Sequence, residues 1–262
     1  MLVFFAATLA AQAFQVVITE VLPDPSPAIG LPAEEFIELT NISGKTIDIS
    51  LWQLSNGRTK SKLPDSIYLP ADSILIICAT KSVEQFIPFG STLALTQFPA
   101  LSNENDTIIL TNTSGEIISA VAYSSKLYTT DLPPSGRSLE MINLLYSCSL
   151  QNNWAPSTSG SGGTPGKPNS YKDAPEKERH FTLLYAFCNT DTTVVLVFDD
   201  KIDPSSIRMP GAIQTEPELQ FSSLSITGDL ENRLECTLTS RLVHGQITEI
   251  WTTGITSCLQ ES

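Results

Sequence analysis

The chain has 262 residues, 41% of them hydrophobic and 16% charged. That is enough to fill two modules of ordinary size, and too few charges for a typical helical cytosolic protein. Acidic residues outnumber basic ones by 28 to 15, a formal charge of −13, which repels phosphate backbones and disfavours direct nucleic-acid binding. Seventeen Pro and fourteen Gly are what many turns between short strands require.

The chain opens on an apolar run at residues 2–10, followed by Ala11-Gln12-Ala13. This small-x-small pattern is the kind signal peptidase reads, so residues 1–13 are expected to be a signal peptide with a mature start near Phe14. No basic residue precedes the apolar run. The run is too short to span a bilayer, and no later segment is long and apolar enough to do so.

Beyond it, hydrophobicity alternates with period two rather than 3.6. Residues 15–22 read as a strand, stopped by Pro23, Pro25 and Pro27. Residues 34–40 alternate cleanly, and 41–44 form a turn. Residues 46–54 place Ile47, Ile49 and Leu51 on one face, with Trp52 near the end. The continuous apolarity of 73–79 marks a buried strand. Residues 106–111 and 116–123 form a hairpin across Asn112-Thr113-Ser114-Gly115, and 137–142 is one more strand. Residues 157–170, rich in Gly, Pro and Ser, read as a closing loop, and the charged stretch 171–179 as a linker. Then 180–188 and 192–198 pair across a turn, 199–206 is another turn, and 219–227, 233–239 and 246–253 supply further strands. The expected architecture is all-β: two immunoglobulin-like β-sandwiches in tandem, at 14–170 and 180–262, with truncation expected in the second.

The first module resembles the lamin tail domain of exported bacterial proteins. The resemblance rests on Ile18-Thr19-Glu20-Val21, Glu34 to Asn41, Asp48 to Ser55, the approach Leu101 to Thr107, Gly136-Arg137-Ser138-Leu139-Glu140, and Asn153 to Ser157 with Gly163-Thr164-Pro165-Gly166. It spans about residues 15–170 and implies an immunoglobulin-like fold in a multidomain exported protein. The nuclear roles of animal lamins do not carry over to a chain with an export signal and this negative charge. The second module resembles, more weakly, bacterial immunoglobulin-like repeats of surface proteins, through Val194 to Phe198, Lys201 to Ser206 and Gly254 to Cys258.

Few residues offer chemistry. The five cysteines form no CxxC pair and there are two histidines, so a structural zinc site is not expected. Cys78 and Cys236 lie in apolar strand contexts, as small core residues do. Cys188 and Cys258, near the two ends of the second module, are the best candidates for a disulfide. His180 and His244 are expected at edges rather than beside a nucleophile, and no GxSxG, HExxH, Walker or Rossmann pattern has a supporting context. Glu34, Glu35 and Glu38 share one strand, with Glu34 and Glu38 on the face of Phe36; a solvated sandwich face is expected there rather than a carboxylate pair across a cleft. Asp199, Asp200 and Asp203 crowd one turn and Asp24 lies in a Pro-rich loop. They are weak Ca²⁺ candidates, with turn hydrogen bonding as the simpler explanation. Trp52 and Trp154 read as core, with sugar stacking as the alternative. Asn41, Asn105 and Asn112 begin N-x-Ser/Thr sequons, relevant only in a eukaryotic secretory host.

These readings lead to a non-catalytic structural, adhesive or spacer module of an exported bacterial protein, secreted or held at the cell envelope and without a cofactor. Its partners would be other domains or envelope proteins. The alternative is an accessory polysaccharide- or protein-binding module of a secreted hydrolase or nuclease.

Overall fold

The computed structural model describes residues 15–147, 153–171, 181–209, 211–228 and 230–258. The expected signal peptide, His180 and Cys148 lie outside them. The described residues fall into two compact units, 15–147 with 153–171, and 181–258. Both are all-β, as the alternating pattern requires.

The first unit holds twelve strands: β1 (Val16–Leu22), β2 (Phe36–Asn41), β3 (Ile47–Asp48), β4 (Gln53–Ser55), β5 (Lys60–Lys62), β6 (Tyr68–Leu69), β7 (Ile74–Ala79), β8 (Thr92–Leu95), β9 (Asn105–Thr111), β10 (Ile117–Ser124), β11 (Leu139–Met141) and β12 (Trp154–Pro156). A six-stranded sheet runs β12-β11-β1-β2-β7-β8, and a four-stranded sheet β10-β9-β4-β5 faces it. Their inner faces enclose one core, with Val16, Ile18, Val21, Ile37, Leu39, Leu75 and Ile77 from one sheet and Leu54, Ile108, Leu110 and Val121 from the other. This is the sandwich expected of period-two segments.

The six-stranded sheet is also covered on its outer face. Leu22, Phe36, Ile76 and Cys78 pack there with Leu31 and with Phe86 of a short helix, α1 (Val83–Phe86). The rings of Phe36 and Phe86 lie 5.3 Å apart. Strands β1 and β2 are therefore buried along their whole length, which overturns the expectation of a solvated face at Glu38.

The segment 46–54 is not one strand. It is β3 and β4 separated by a turn in which Leu51 takes a φ of 61°; Leu51 is exposed while Ile47, Ile49 and Trp52 enter the core.

The second unit contains β13 (Leu183–Thr190), β14 (Thr193–Phe198), β15 (Ile213–Glu216), β16 (Phe221–Thr227), β17 (Arg233–Leu238) and β18 (Glu249–Thr252). A four-stranded antiparallel sheet runs β13-β14-β17-β16, and β15 pairs with β18. Val194, Leu196, Phe198, Leu234, Cys236 and Leu238 form its core, with Ile213 and Ile250 packed against it. Phe181 stacks on Phe198 at 4.8 Å between ring centroids.

Candidate functional site

Three glutamates stand in a row across adjacent strands of the first unit. Glu20 of β1 lies directly opposite Glu38 of β2 on one side and Glu140 of β11 on the other. Their neighbours Val21, Ile37, Leu39, Leu139 and Met141 face the core, so strand alternation turns the three carboxyls to the outer face. All three residues are completely buried. Like charges directly opposite on a sheet repel, and among the described residues no cation lies within ion-pair distance of any of them.

What covers them is the Gly- and Ser-rich segment after β12. Thr164 N donates to Glu20 Oε1 at 2.8 Å, Gly166 N to Glu38 Oε2 at 2.8 Å and Ser170 N to Glu140 Oε2 at 2.8 Å. Hydroxyls complete the set: Ser138 Oγ donates to Glu20 Oε1, Thr19 Oγ1 to Glu38 Oε1, and Ser170 Oγ to Glu140 Oε2. Asn169 Nδ2 bridges the carbonyls of Thr19 and Met141 at 2.9 Å each. The Arg137 guanidinium donates to the carbonyls of Ser157 and Ser159. A segment with little apolar character is thus held almost entirely by polar contacts to the sheet.

Two glycines make the approach possible. A Cβ on Gly163 would sit 2.6 Å from Glu20 Oε1 and 2.7 Å from Leu31 Cδ1. Gly166, with φ of 73°, passes so close to the Phe89 carbonyl that a side chain would collide with backbone.

Burial pushes the Glu20 carboxyl well above the usual carboxylate range, with further upward pressure from Glu38 and Glu140. Burial raises Glu38 to about 8, against the opposing hydrogen bonds from Gly166 and Thr19. The hydrogen-bond geometry agrees. Thr164 Oγ1 has one proton but two carboxyl neighbours, Glu140 Oε1 at 2.9 Å and Glu20 Oε2 at 3.4 Å. A proton on Glu20 lets Glu20 donate to Thr164 while Thr164 donates to Glu140. These acids are sealed from solvent beneath the loop, so the row is arranged to fix that loop rather than to attack a substrate.

The residues singled out from sequence lie elsewhere. Glu34 pairs with Lys81 at 2.9 Å and accepts from Ser82 Oγ, which holds its carboxyl below the ordinary value. Glu35 accepts from Leu101 N, and desolvation raises it. Neither joins the row of Glu38. Asp199 Oδ1 accepts from Thr182 N, Asp200 Oδ1 from Lys201 N, and Asp203 from the backbone and hydroxyl of Ser205. The bonds of Asp200 and Asp203 are local turn chemistry while that of Asp199 reaches back to the chain ahead of β13, and among the described residues no group of three or more His, Cys, Asp or Glu is arranged to hold a metal ion. Asp24 accepts from Ser135 Oγ. Trp52 and Trp154 are 4% and 3% exposed and offer no stacking platform. Asn41 is buried, its amide donating to the carbonyls of Lys45, Leu69 and Pro70.

Cys78 and Cys236 are buried free thiols, as expected of core residues, and Cys188 is free and exposed. Cys258 is disulfide-bonded. The expected Cys188–Cys258 bridge therefore does not form, and the partner of Cys258 is not among the described residues.

Cys188 and His244 do line a common groove of about 840 Å³ in the second unit, with Ala186, Leu219, Leu242 and Ile250. No hydrogen bond joins thiol to imidazole, so the groove lacks the oriented base that nucleophilic catalysis needs.

The row of glutamates was visible in sequence only as fragments. Glu20 and Glu140 stand in two separate strand segments, and nothing in their alternation distinguishes an outer face that is solvated from one that is covered. The signal that could have found them was the pairing of three strand-borne glutamates with the Gly163-Thr164-Pro165-Gly166 loop.

Comparison with known families bears on β1 through β10. Residues 10–125 match the family model of the Lamin Tail Domain. This is a non-catalytic, immunoglobulin-like domain family of protein-interaction type. The matched lamin-tail stretch carries Glu20 and Glu38 but stops before Glu140 and the covering loop, which complete the same six-stranded sheet. No curated protein matches the chain. No helix among the described residues is long and apolar enough to cross a membrane.

Proposed function

We propose that this chain is a non-catalytic structural or adhesive module of an exported bacterial cell-envelope protein, spacing or presenting partners through protein contacts. The observation that carries the reading is the sealed glutamate row. The strongly perturbed acids of the first unit lie where a catalytic acid would be useless, and their hydrogen-bonding capacity holds the closing segment in place. The lamin-tail match supports a binding role without chemistry, and the apolar run before Ala13 supports export. Burial of Trp52 and Trp154 takes away the sugar-stacking platform that those two residues would have given an accessory polysaccharide-binding role.

Expression of the full chain in a bacterium with N-terminal sequencing of the secreted product tests this reading. Release of a mature protein starting near Phe14, with no hydrolase or nuclease activity, is the expected result. Retention of residues 1–13 in the cytoplasm would remove the exported role, and turnover of a polysaccharide or nucleic acid would remove the non-catalytic one.

A further inference from the structure

The sheet edges of the two units are treated differently. In the first unit the edges are short, charged or buried: β12 and β8 have three and four residues, β5 is Lys60-Ser61-Lys62, and β10 is largely buried. Such devices keep an edge from pairing with another chain. In the second unit β15 and β18 are four residues long and carry Glu216 and Glu249, and β16 shows serines to solvent. Strand β13 has no such protection. It is eight residues long, bears no charge, Pro or Gly, and is exposed along seven of its eight positions. Leu184, Tyr185 and Phe187 are 55%, 54% and 41% exposed. Among the described residues only β14 pairs with it, which leaves one row of its backbone donors and acceptors open there.

We propose that β13 is an assembly edge that pairs antiparallel with β13 of a second copy of this chain, joining two four-stranded sheets into one of eight. Along the edge itself, charge does not oppose a copy. The chain carries −13 overall, yet along β13 two copies meet without one like-charged pair. The side chains are also self-complementary. Ala186 and Cys188 face the core side, opposite Leu196 and Val194, while Tyr185 and Phe187 lie on the other face, opposite Val197 and Val195. A two-fold axis through Ala186 places Tyr185 of each copy against Phe187 of the other on that outer face, and such cross-strand aromatic pairs stabilise antiparallel strands. Within one copy the two rings are already 6.3 Å apart, so the interface would hold four rings together. This deepens the reading of a protein-contact module by naming a partner and a surface.

Sedimentation equilibrium of the mature full chain over a wide concentration range tests the pairing. The expected result is a reversible dimer whose dissociation constant rises by roughly tenfold or more in Tyr185→Lys/Phe187→Lys, a variant at exposed positions that keeps its circular dichroism spectrum. In a second variant, Cys188→Ser with Ala186→Cys, oxidation should cross-link the copies through the new thiol at the axis. A folded chain that stays monomeric at every concentration, whatever else binds that edge, overturns the proposal, and so does a dimer indifferent to the two lysines. Either result leaves the non-catalytic, exported reading untouched, since that depends on leader cleavage and absence of turnover.

Discussion

Replacing Glu38 by glutamine should abolish a large part of the alkaline sensitivity of the first unit. In the fold the Glu38 carboxyl titrates at about 8, whereas in an unfolded chain a glutamate titrates at about 4.3. The folded value is raised, so the stability linked to this proton is fully present below pH ~4.3 and is lost as pH climbs through the folded value. At about 1.4 kcal/mol per tenfold change in proton activity, the loss across that window is about 5 kcal/mol, comparable with the whole stability of a small domain. About 4 kcal/mol of it falls between pH ~5 and pH ~9. A glutamine at this position cannot ionise, yet it can meet the same partners. Its carbonyl can accept from Gly166 N, and its amide can donate to Thr19 Oγ1, which lies 2.8 Å from Thr40 Oγ1 and can pass the bond on. Urea unfolding in a Trp251→Phe background, followed by the fluorescence of buried Trp52 and Trp154, reports this unit. With a slope of about 2 kcal/mol per molar urea, wild type should lose about 2 M of midpoint more than Glu38→Gln between pH ~5 and pH ~9. If the two proteins lose stability in parallel, Glu38 is ionised in the neutral-pH fold and the proton assignment along the row is wrong.

Gly163→Ala should cost about 1–3 kcal/mol by overpacking against Glu20, Leu31 and Ser138, and limited proteolysis should then cut between 157 and 170. Asn41→Ala takes a donor from three carbonyls, of which Lys45 O keeps Ser43 Oγ and Pro70 O keeps Ser73, and a loss of about 1–3 kcal/mol in the same urea assay is expected. Native protein should react with a thiol reagent at Cys188 in seconds to minutes, and at Cys78 and Cys236 only on unfolding. Both buried thiols are shielded, and burial pushes them up to about 11 and about 12; mass mapping of labelled peptides checks the order.

The strands with the plainest alternation or apolarity were legible before any coordinates: β1, β2, β7, β9, β10, β14 and β17 lie within a residue or two of where period-two reading puts them. Those that escaped notice are short and owe their pairing to neighbours. Strand β5 is Lys60-Ser61-Lys62, β12 is Trp154-Ala155-Pro156, and β8 joins β7 in parallel after the turn that carries α1. The division of 46–54 was hidden because Ile47, Ile49 and Leu51 keep perfect alternation; only the positive φ at Leu51 breaks the run, and Leu is not a residue that announces one.

The glutamates failed to show themselves for a related reason. A strand with Glu on one face and Val, Ile and Leu on the other is what a half-solvated sheet looks like, and a polar outer face ordinarily needs no cover. Here the cover is itself polar. The segment around Thr164 and Ser170 has too little apolar surface to be held by burial, so its attachment must come from directed bonds, and a backbone amide seeks an acceptor. Ionised, a buried glutamate offers two acceptor oxygens on a flexible stem, and protonated it keeps a carbonyl acceptor beside its new donor; three of them in adjacent register meet one donor-rich stretch of chain. The energetic conflict of placing three acids side by side is resolved by protons rather than by cations, because an arginine in the row would leave the loop's amides without their acceptors. The acid row and the Gly-Thr-Pro-Gly loop thus form one structural unit: removing the loop would expose Glu20 and Glu38, whose carboxyls would then ionise and repel, and truncating the acids to alanine would leave the loop's amides without their acceptors.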